Sequence, residues 1–201
     1  MNKGLLLVVS APSGGGKGTI LGELFKRNSN LVLSVSATTR NPRPGEEHGK
    51  QYYFVGREEF EEMIRGGKVL EYAEYVGNYY GTPKLPVENW LSQGKDVVLE
   101  IEVQGGAQIK RLMPDCVSVF IVPPSMSILE KRLRDRGTEN DETVRRRLET
   151  ARQELTQAKD YDYIVINDRL EDAVDDLQAI LRGEKRRYSR NQEMIEAVLN
   201  G

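Results

Sequence analysis

The stretch GLLLVVSAPSGGGKGTILGELFKR, Gly4 to Arg27, decides the fold. Its opening GLLLVVS is apolar without alternation, which suits a strand buried on both faces of a parallel sheet. Its end, TILGELFKR, sets Ile20, Leu21, Leu24 and Phe25 on one helical face. Between them lies SAPSGGGKGT, Ser10 to Thr19, which reads as a phosphate-binding loop with two departures from G-x-x-x-x-G-K-[ST]. Ala11 stands in the first glycine slot, and Gly18 stands where a hydroxyl residue is usual. A glycine-rich turn aims consecutive N–H groups at phosphate oxygens, and the helix behind it adds partial positive charge. Ala11, Pro12, Ser13, Gly14, Gly15, Gly16, Lys17, Gly18 and Thr19 are therefore expected to cradle a nucleotide's phosphates, with Lys17 as the point charge. Gly18 cannot contact magnesium through a side chain. Mg2+ keeps several waters and takes ligands from phosphates, so the departure predicts a more water-ligated metal rather than no metal.

Outward from this unit the pattern repeats. Asp96 to Gly105, Cys116 to Pro124 and Asp162 to Asp168 read as further buried strands. Helical patterns separate them at Ser127 to Arg136, Glu142 to Ala158 and about Leu170 to Lys185. Alternating strands and helices predict an α/β fold with a doubly wound parallel sheet. Residues 34 to 82, rich in Thr, Tyr, Pro and Gly, break the rhythm. They read as an inserted α+β lobe holding one helix, Arg57 to Gly67. The tail from Glu184 onward reads as a last helix, either frayed or a dimer contact, so both a monomer and a homo-oligomer are open.

The composition narrows the function classes. The chain of 201 residues carries 29 Lys and Arg against 31 Asp and Glu. That balance argues against a protein built chiefly to grip nucleic acid. One cysteine, Cys116, permits no disulfide framework, and one histidine, His48, permits no multi-histidine metal site. The apolar run Leu5 to Val9 is too short for a signal core, and no run approaches the ~18 apolar residues of a membrane span. The expectation is a soluble cytoplasmic protein of one domain, without membrane or nucleic-acid partners.

Five motifs then occur in order: SATTRNPRPGE (Ser36 to Glu46), GNYYGT (Gly77 to Thr82), LEIEVQG, FIVPPS and RGTENDE. With the loop they closely resemble the guanylate kinase family, over about Gly4 to Arg187. The resemblance implies a P-loop kinase core (about 4–33, 83–132 and 147–187), a GMP-binding lobe (about 34–82) and a helical lid (about 133–146). It implies transfer of a phosphoryl group from ATP to GMP or dGMP with Mg2+. Glu71 on its own reads as a solvent-facing charge of an alternating strand; within the motif set it matches the guanine-reading glutamate. A carboxylate can accept both N1–H and N2–H of guanine, a pair that adenine lacks. Ser36 and Thr82 match hydroxyl contacts to the base or the phosphate, and Glu102 matches an acidic residue on the GMP side. Arg40 and Arg43 match phosphate-binding arginines, and Tyr52 and Tyr80 match tyrosines on the same phosphate. Tyr53 and Tyr79, their neighbours, should face the other way and pack. His48 reads as an exposed loop residue.

For the transfer itself the resemblance implies Lys17, Arg132, Arg136 and Arg147 as catalytic cations. Glu100, two residues before Glu102 and on the same strand face, is the candidate to hold a magnesium-bound water. Asn167 matches a segment near the adenine of ATP. The nucleophile would be an already ionised phosphate oxygen, so no general base is needed. Closure around Arg136 to Glu142 would gather the arginines and exclude water. Three alternatives stand beside this reading: another nucleoside monophosphate kinase, suggested by G-K-G-T; a non-catalytic scaffold domain with the same fold; and a GTPase, for which no N-K-x-D-type motif appears.

Overall fold

The computed structural model describes residues 3–135 and 140–201. Among the described residues, nine strands form two sheets and eight α-helices accompany them. The larger is fully parallel, in the order β2 (Leu31–Leu33), β7 (Asp96–Glu100), β1 (Leu6–Ser10), β8 (Val117–Val122), β9 (Tyr163–Ile166). Strand β1 lies at the centre and is apolar on both faces for that reason. Leu5, Leu7 and Val9 pack with Ile20, Leu21 and Leu24 of α1 (Lys17–Arg27) and Val174, Leu177 and Leu181 of α7 (Leu170–Lys185). Leu6 and Val8 point oppositely, to Val87 and Leu91 of α3 (Lys84–Ser92) and Ile109 of α4 (Val103–Leu112). Helices on both faces make the core an α/β doubly wound sheet, as the sequence predicts.

The second sheet takes the order β4 (Tyr53–Phe54), β3 (Ala37–Thr38), β6 (Asn78–Pro83), β5 (Val69–Tyr75). Strands β5 and β6 form a hairpin around Val76 and Gly77, whose φ angles of 49° and 74° give the two-residue turn that suits strand twist. Helix α2 (Arg57–Arg65) buries Phe60 and stacks it on Tyr79 at 5.3 Å. A third cluster joins α5 (Met126–Asp135) to α6 (Asp141–Leu155) through Leu129, Leu133, Val144, Leu148 and Ala151. Asn140 caps α6, its Oδ1 accepting from the Thr143 N–H at 2.9 Å. Among the described residues no helix is long and apolar enough to cross a membrane.

Several boundaries differ from expectation. The strand expected over Asp96 to Gly105 stops at Glu100, and Val103–Gly105 already belong to α4. Glu100 and Glu102 therefore do not share a strand face; Glu102 sits at the N-cap position of α4, with φ −72° and ψ 162°. The first turns of α4 pack closely against distant segments. A Cβ on Gly105 would stand 2.7 Å from Glu71 Oε2, and one on Gly106 would stand 2.5 Å from the Tyr161 hydroxyl. Both glycines are close-approach positions of a helix rather than a turn. Helix α7 ends at Lys185, and after a 3-10 turn at Tyr188–Arg190 a separate α8 (Gln192–Asn200) closes the chain.

Candidate functional site

The loop after β1 sits where the sheet order reverses, at the carboxyl end of its central strand, the usual ligand crevice of such sheets. Gly14 and Gly16 take left-handed φ angles of 89° and 88°, open to glycine without steric cost. Ala11 is buried in the core, so the methyl in the first glycine slot fills apolar space. Gly18 and Thr19 are exposed on the first turn of α1. The Lys17 ammonium donates to the Ile101 carbonyl at 3.2 Å, and the Ser10 hydroxyl donates to the same oxygen at 3.0 Å. The two strands flanking the crevice thus fix the direction of the loop lysine.

Asn167, at the end of β9, closes the loop from above. Its Nδ2 donates to the Gly15 carbonyl at 2.7 Å, while its own carbonyl accepts from Arg132 Nη2 at 2.8 Å. Arg132 Nη1 is buried without a partner among the described residues, a cationic donor left over at the loop. From α6, Arg147 donates to the Ser13 hydroxyl through Nε at 3.1 Å and Nη2 at 2.8 Å. Lys17, Arg132, Arg147 and Asn167 therefore converge on the loop. Arg136 lies outside the described residues. Pro12 supplies no N–H but turns the chain, its carbonyl accepting from Gly15 at 2.8 Å.

Glu100 ends β7 beside this loop. A Cβ on Gly18 would stand 3.8 Å from Glu100 Oε1, so the carboxylate lies just over the missing side chain. The Glu100 and Glu102 carboxylates are both exposed at the crevice.

Across the crevice, the second sheet gathers a different set. Glu71 on β5 is only 6 % exposed, so it is not a solvent-facing strand charge. Its Oε1 accepts from the Thr82 hydroxyl at 2.7 Å. Burial pushes its carboxyl above the usual range, and the hydrogen bonds from Thr82 pull the other way. Arg40 makes a forked pair with Glu46, Nη1 to Oε2 at 2.9 Å and Nη2 to Oε1 at 3.0 Å. Glu46 Oε2 also accepts the Arg43 N–H at 2.7 Å. Those bonds hold the Glu46 carboxyl below the usual range. The Arg40 guanidinium lies 5.5 Å from the Tyr52 ring, and Tyr52 meets Tyr80 edge-on at 5.9 Å. Burial raises the Tyr52 phenol, with the field of Glu100 among the smaller contributions.

The fold thus brings Arg40, Tyr52 and Tyr80 into one cluster and Glu71 and Thr82 into another. Tyr53 turns instead to His48, with ring centres 5.6 Å apart, and Tyr79 to Phe60. Arg43 enters through its backbone while its side chain is exposed, and Ser36 through its carbonyl, which accepts from Tyr53 N–H at 2.8 Å. Two residues of the crevice escape the sequence reading. Glu46 holds Arg40, and Glu154 Oε2 accepts from the Ser13 N–H at 3.2 Å. Either glutamate looks like an ordinary surface charge in the sequence.

The family model described as guanylate kinase matches residues 3–184. A guanylate kinase of Carboxydothermus hydrogenoformans is 53 % identical over 190 residues, covering 94 % of this chain and 93 % of that protein. One of Desulfitobacterium hafniense is 50 % identical over 197 residues, covering 98 % of each. The crystal structure of guanylate kinase from Anaplasma phagocytophilum superposes with a TM-score of 0.77 at 37 % identity, covering 97 % of this chain and 95 % of that one.

Proposed function

The chain belongs to the guanylate kinase family, and from that premise we propose that it transfers the γ-phosphoryl group of ATP to GMP or dGMP, giving ADP and GDP or dGDP. It is a nucleoside monophosphate kinase, hence a phosphotransferase. The observation that carries the choice of GMP is the buried Glu71 carboxylate. Burying a charge is costly unless donors satisfy it, and guanine brings N1–H and N2–H to such an acceptor. Thr82 orients one oxygen, and the bare Gly105 leaves room beside the other. Adenine would face the same carboxylate with an unprotonated N1, an acceptor against an acceptor.

The remaining roles rest on the motif match to the family. Residues 11–19 form the loop that binds the donor's phosphates, through N–H groups at every position but Pro12, and Asn167 holds the loop from its outer side. Arg40, Tyr52 and Tyr80, with Arg43, take the GMP phosphate; Ser36 and Glu102 border the acceptor. That phosphate is already ionised at neutral pH, so no side chain must remove a proton. Catalysis is then alignment of the two phosphates and neutralisation of the charge that develops between them. Lys17, Arg132 and Arg147 supply cations from this chain, and Arg136 is assigned with them. Residues 34–82 act as the GMP-binding lobe and 133–146 as the lid.

Carboxylate oxygen suits Mg2+, and Glu100, poised over Gly18, fits a metal held mostly by phosphate oxygens and water. When bound, Mg2+ supplies further neutralisation of the triphosphate. Glu100 would hold one of its waters. We place the reaction in the cytoplasm, which suits a chain whose single cysteine, Cys116, is buried with its thiol pushed up to about 11 by burial.

Coupled ADP release with ATP plus GMP, dGMP, AMP, UMP or CMP tests the reading. GMP and dGMP should turn over far faster than the others. Turnover of AMP as fast as GMP would overturn the choice of substrate.

A further inference from the structure

Helix α6 reaches the phosphate loop at two points, and both are on Ser13. Arg147 grips the Ser13 hydroxyl, and seven residues on, Glu154 takes the Ser13 backbone N–H. Positions seven apart share a helix face about 10 Å apart along the axis, so the two side chains lean inward to one residue. The helix is a stiff carrier: Val144, Leu148 and Ala151 seat it on Leu129 and Leu133. Glu154 is half-buried, with Lys17 and the Glu102 carboxylate within electrostatic reach.

A donor triphosphate claims the N–H groups of this loop. One N–H cannot serve a carboxylate and a phosphate equally, and the two anions repel at contact distance in a partly dehydrated crevice. We propose that Glu154 is a built-in competitor of the donor's phosphates for the Ser13 amide, so that it sets donor affinity. This inference rests on the ATP:GMP kinase reading above. Seating of the triphosphate displaces the Glu154 carboxylate, and that detaches α6 from the loop at one of its two points. Arg147, on the same rigid helix, is then set to trade its contact with the neutral Ser13 hydroxyl for a phosphoryl oxygen. Departure of ADP lets Glu154 return to the amide, which favours release of the product. Glu154 is thus a positioning residue: it acts on the transfer through the loop and through α6.

Calorimetric titration of the full chain with MgATP, and separately with GMP, compares the wild type with Glu154→Gln. Glutamine keeps the size and the acceptor oxygen but removes the charge. The Kd for ATP should fall about three- to tenfold in the variant, the net scale of one solvent-screened charge contact. The Kd for GMP should not move. A residue that merely braces the loop would give the opposite sign, weaker ATP binding; that result, or an unchanged Kd, overturns the proposal. Glu154→Ala, which removes contact and charge together, should also tighten ATP and serves if the glutamine variant folds poorly. GMP-dependent ADP release by the same wild-type preparation reports on the kinase reading separately. An intact ATP shift without that turnover keeps the competition and overturns the reading.

Discussion

Gly16 and Asn167 occupy one another's space: a Cβ on Gly16 would stand 2.3 Å from Asn167 Nδ2. The contact explains why the loop needs glycine there twice over, since Gly16 also has a φ of 88°. Alanine in left-handed geometry costs about 1–2 kcal/mol before any clash. Gly16→Ala must also push away the amide that holds the Gly15 carbonyl. The KM for ATP should rise at least tenfold while the KM for GMP stays within about twofold. Steady-state kinetics with each substrate varied in turn checks this.

Glu71 trades stability for recognition. Burial raises its carboxyl, so the folded chain holds that proton more tightly than the unfolded chain does. Stability contributed by this group therefore falls as pH rises from the unfolded carboxyl value through the raised folded one. Glu71→Gln removes the penalty. The variant should melt above the wild type at neutral pH, and the gap should close under acid, where Glu71 is protonated. Its preference for GMP over AMP should meanwhile drop by about a hundredfold or more, because one acceptor becomes a donor. Thermal melts at several pH values and kcat/KM for both nucleotides provide the check. A variant that melts lower at neutral pH and keeps its selectivity would contradict both halves.

Glu46 fixes Arg40 by a fork and at the same time holds the Arg43 N–H. Such a pair settles the plane of the guanidinium before a phosphate arrives. Glu46→Ala should leave Arg40 mobile and raise the KM for GMP roughly tenfold, with kcat little changed. The Kd for ATP should be unaffected. A fall in the KM for GMP would instead mean that Glu46 and the GMP phosphate compete for Arg40.

The parts of this molecule legible in the sequence are those governed by local pattern. Strand β1, the loop and α1 carry a buried apolar run, glycines with left-handed φ and a helical stripe in immediate succession. Helix α7 has the bounds expected of its periodicity, Leu170–Lys185. Other parts depend on contacts between distant segments. Strand β2 is only Leu31–Leu33, too short to show a period. Helix α3 carries Pro86 in its first turn, where proline is tolerated but reads as a break. Helix α4 hides behind Gly105 and Gly106, whose bareness serves Glu71 and Tyr161 from elsewhere in the chain. The motif set points to Glu71, Arg40 and Lys17. Glu46 and Glu154 become visible only when folding sets them on Arg40 and Ser13.

Gly18 and Glu100 face one another, the carboxylate 3.8 Å from where a Cβ at position 18 would stand. A serine hydroxyl at position 18 would fall within hydrogen-bond reach of Glu100 and could also serve as a direct metal ligand. Gly18→Ser should therefore tighten Mg2+ in the nucleotide complex and make Glu100 less important. Glu100→Gln alone should weaken Mg2+ by about tenfold, the typical loss when an outer partner of a metal is removed. In the Gly18→Ser background the same change should cost only about two- or threefold. Mn2+ substituted for Mg2+, titrated by its paramagnetic signal in the presence of ATP, reads the four affinities without turnover. Strictly additive effects would mean that Glu100 and residue 18 act on the metal independently. A direct bond from the Thr19 hydroxyl to the metal in a nucleotide complex would remove the need for either.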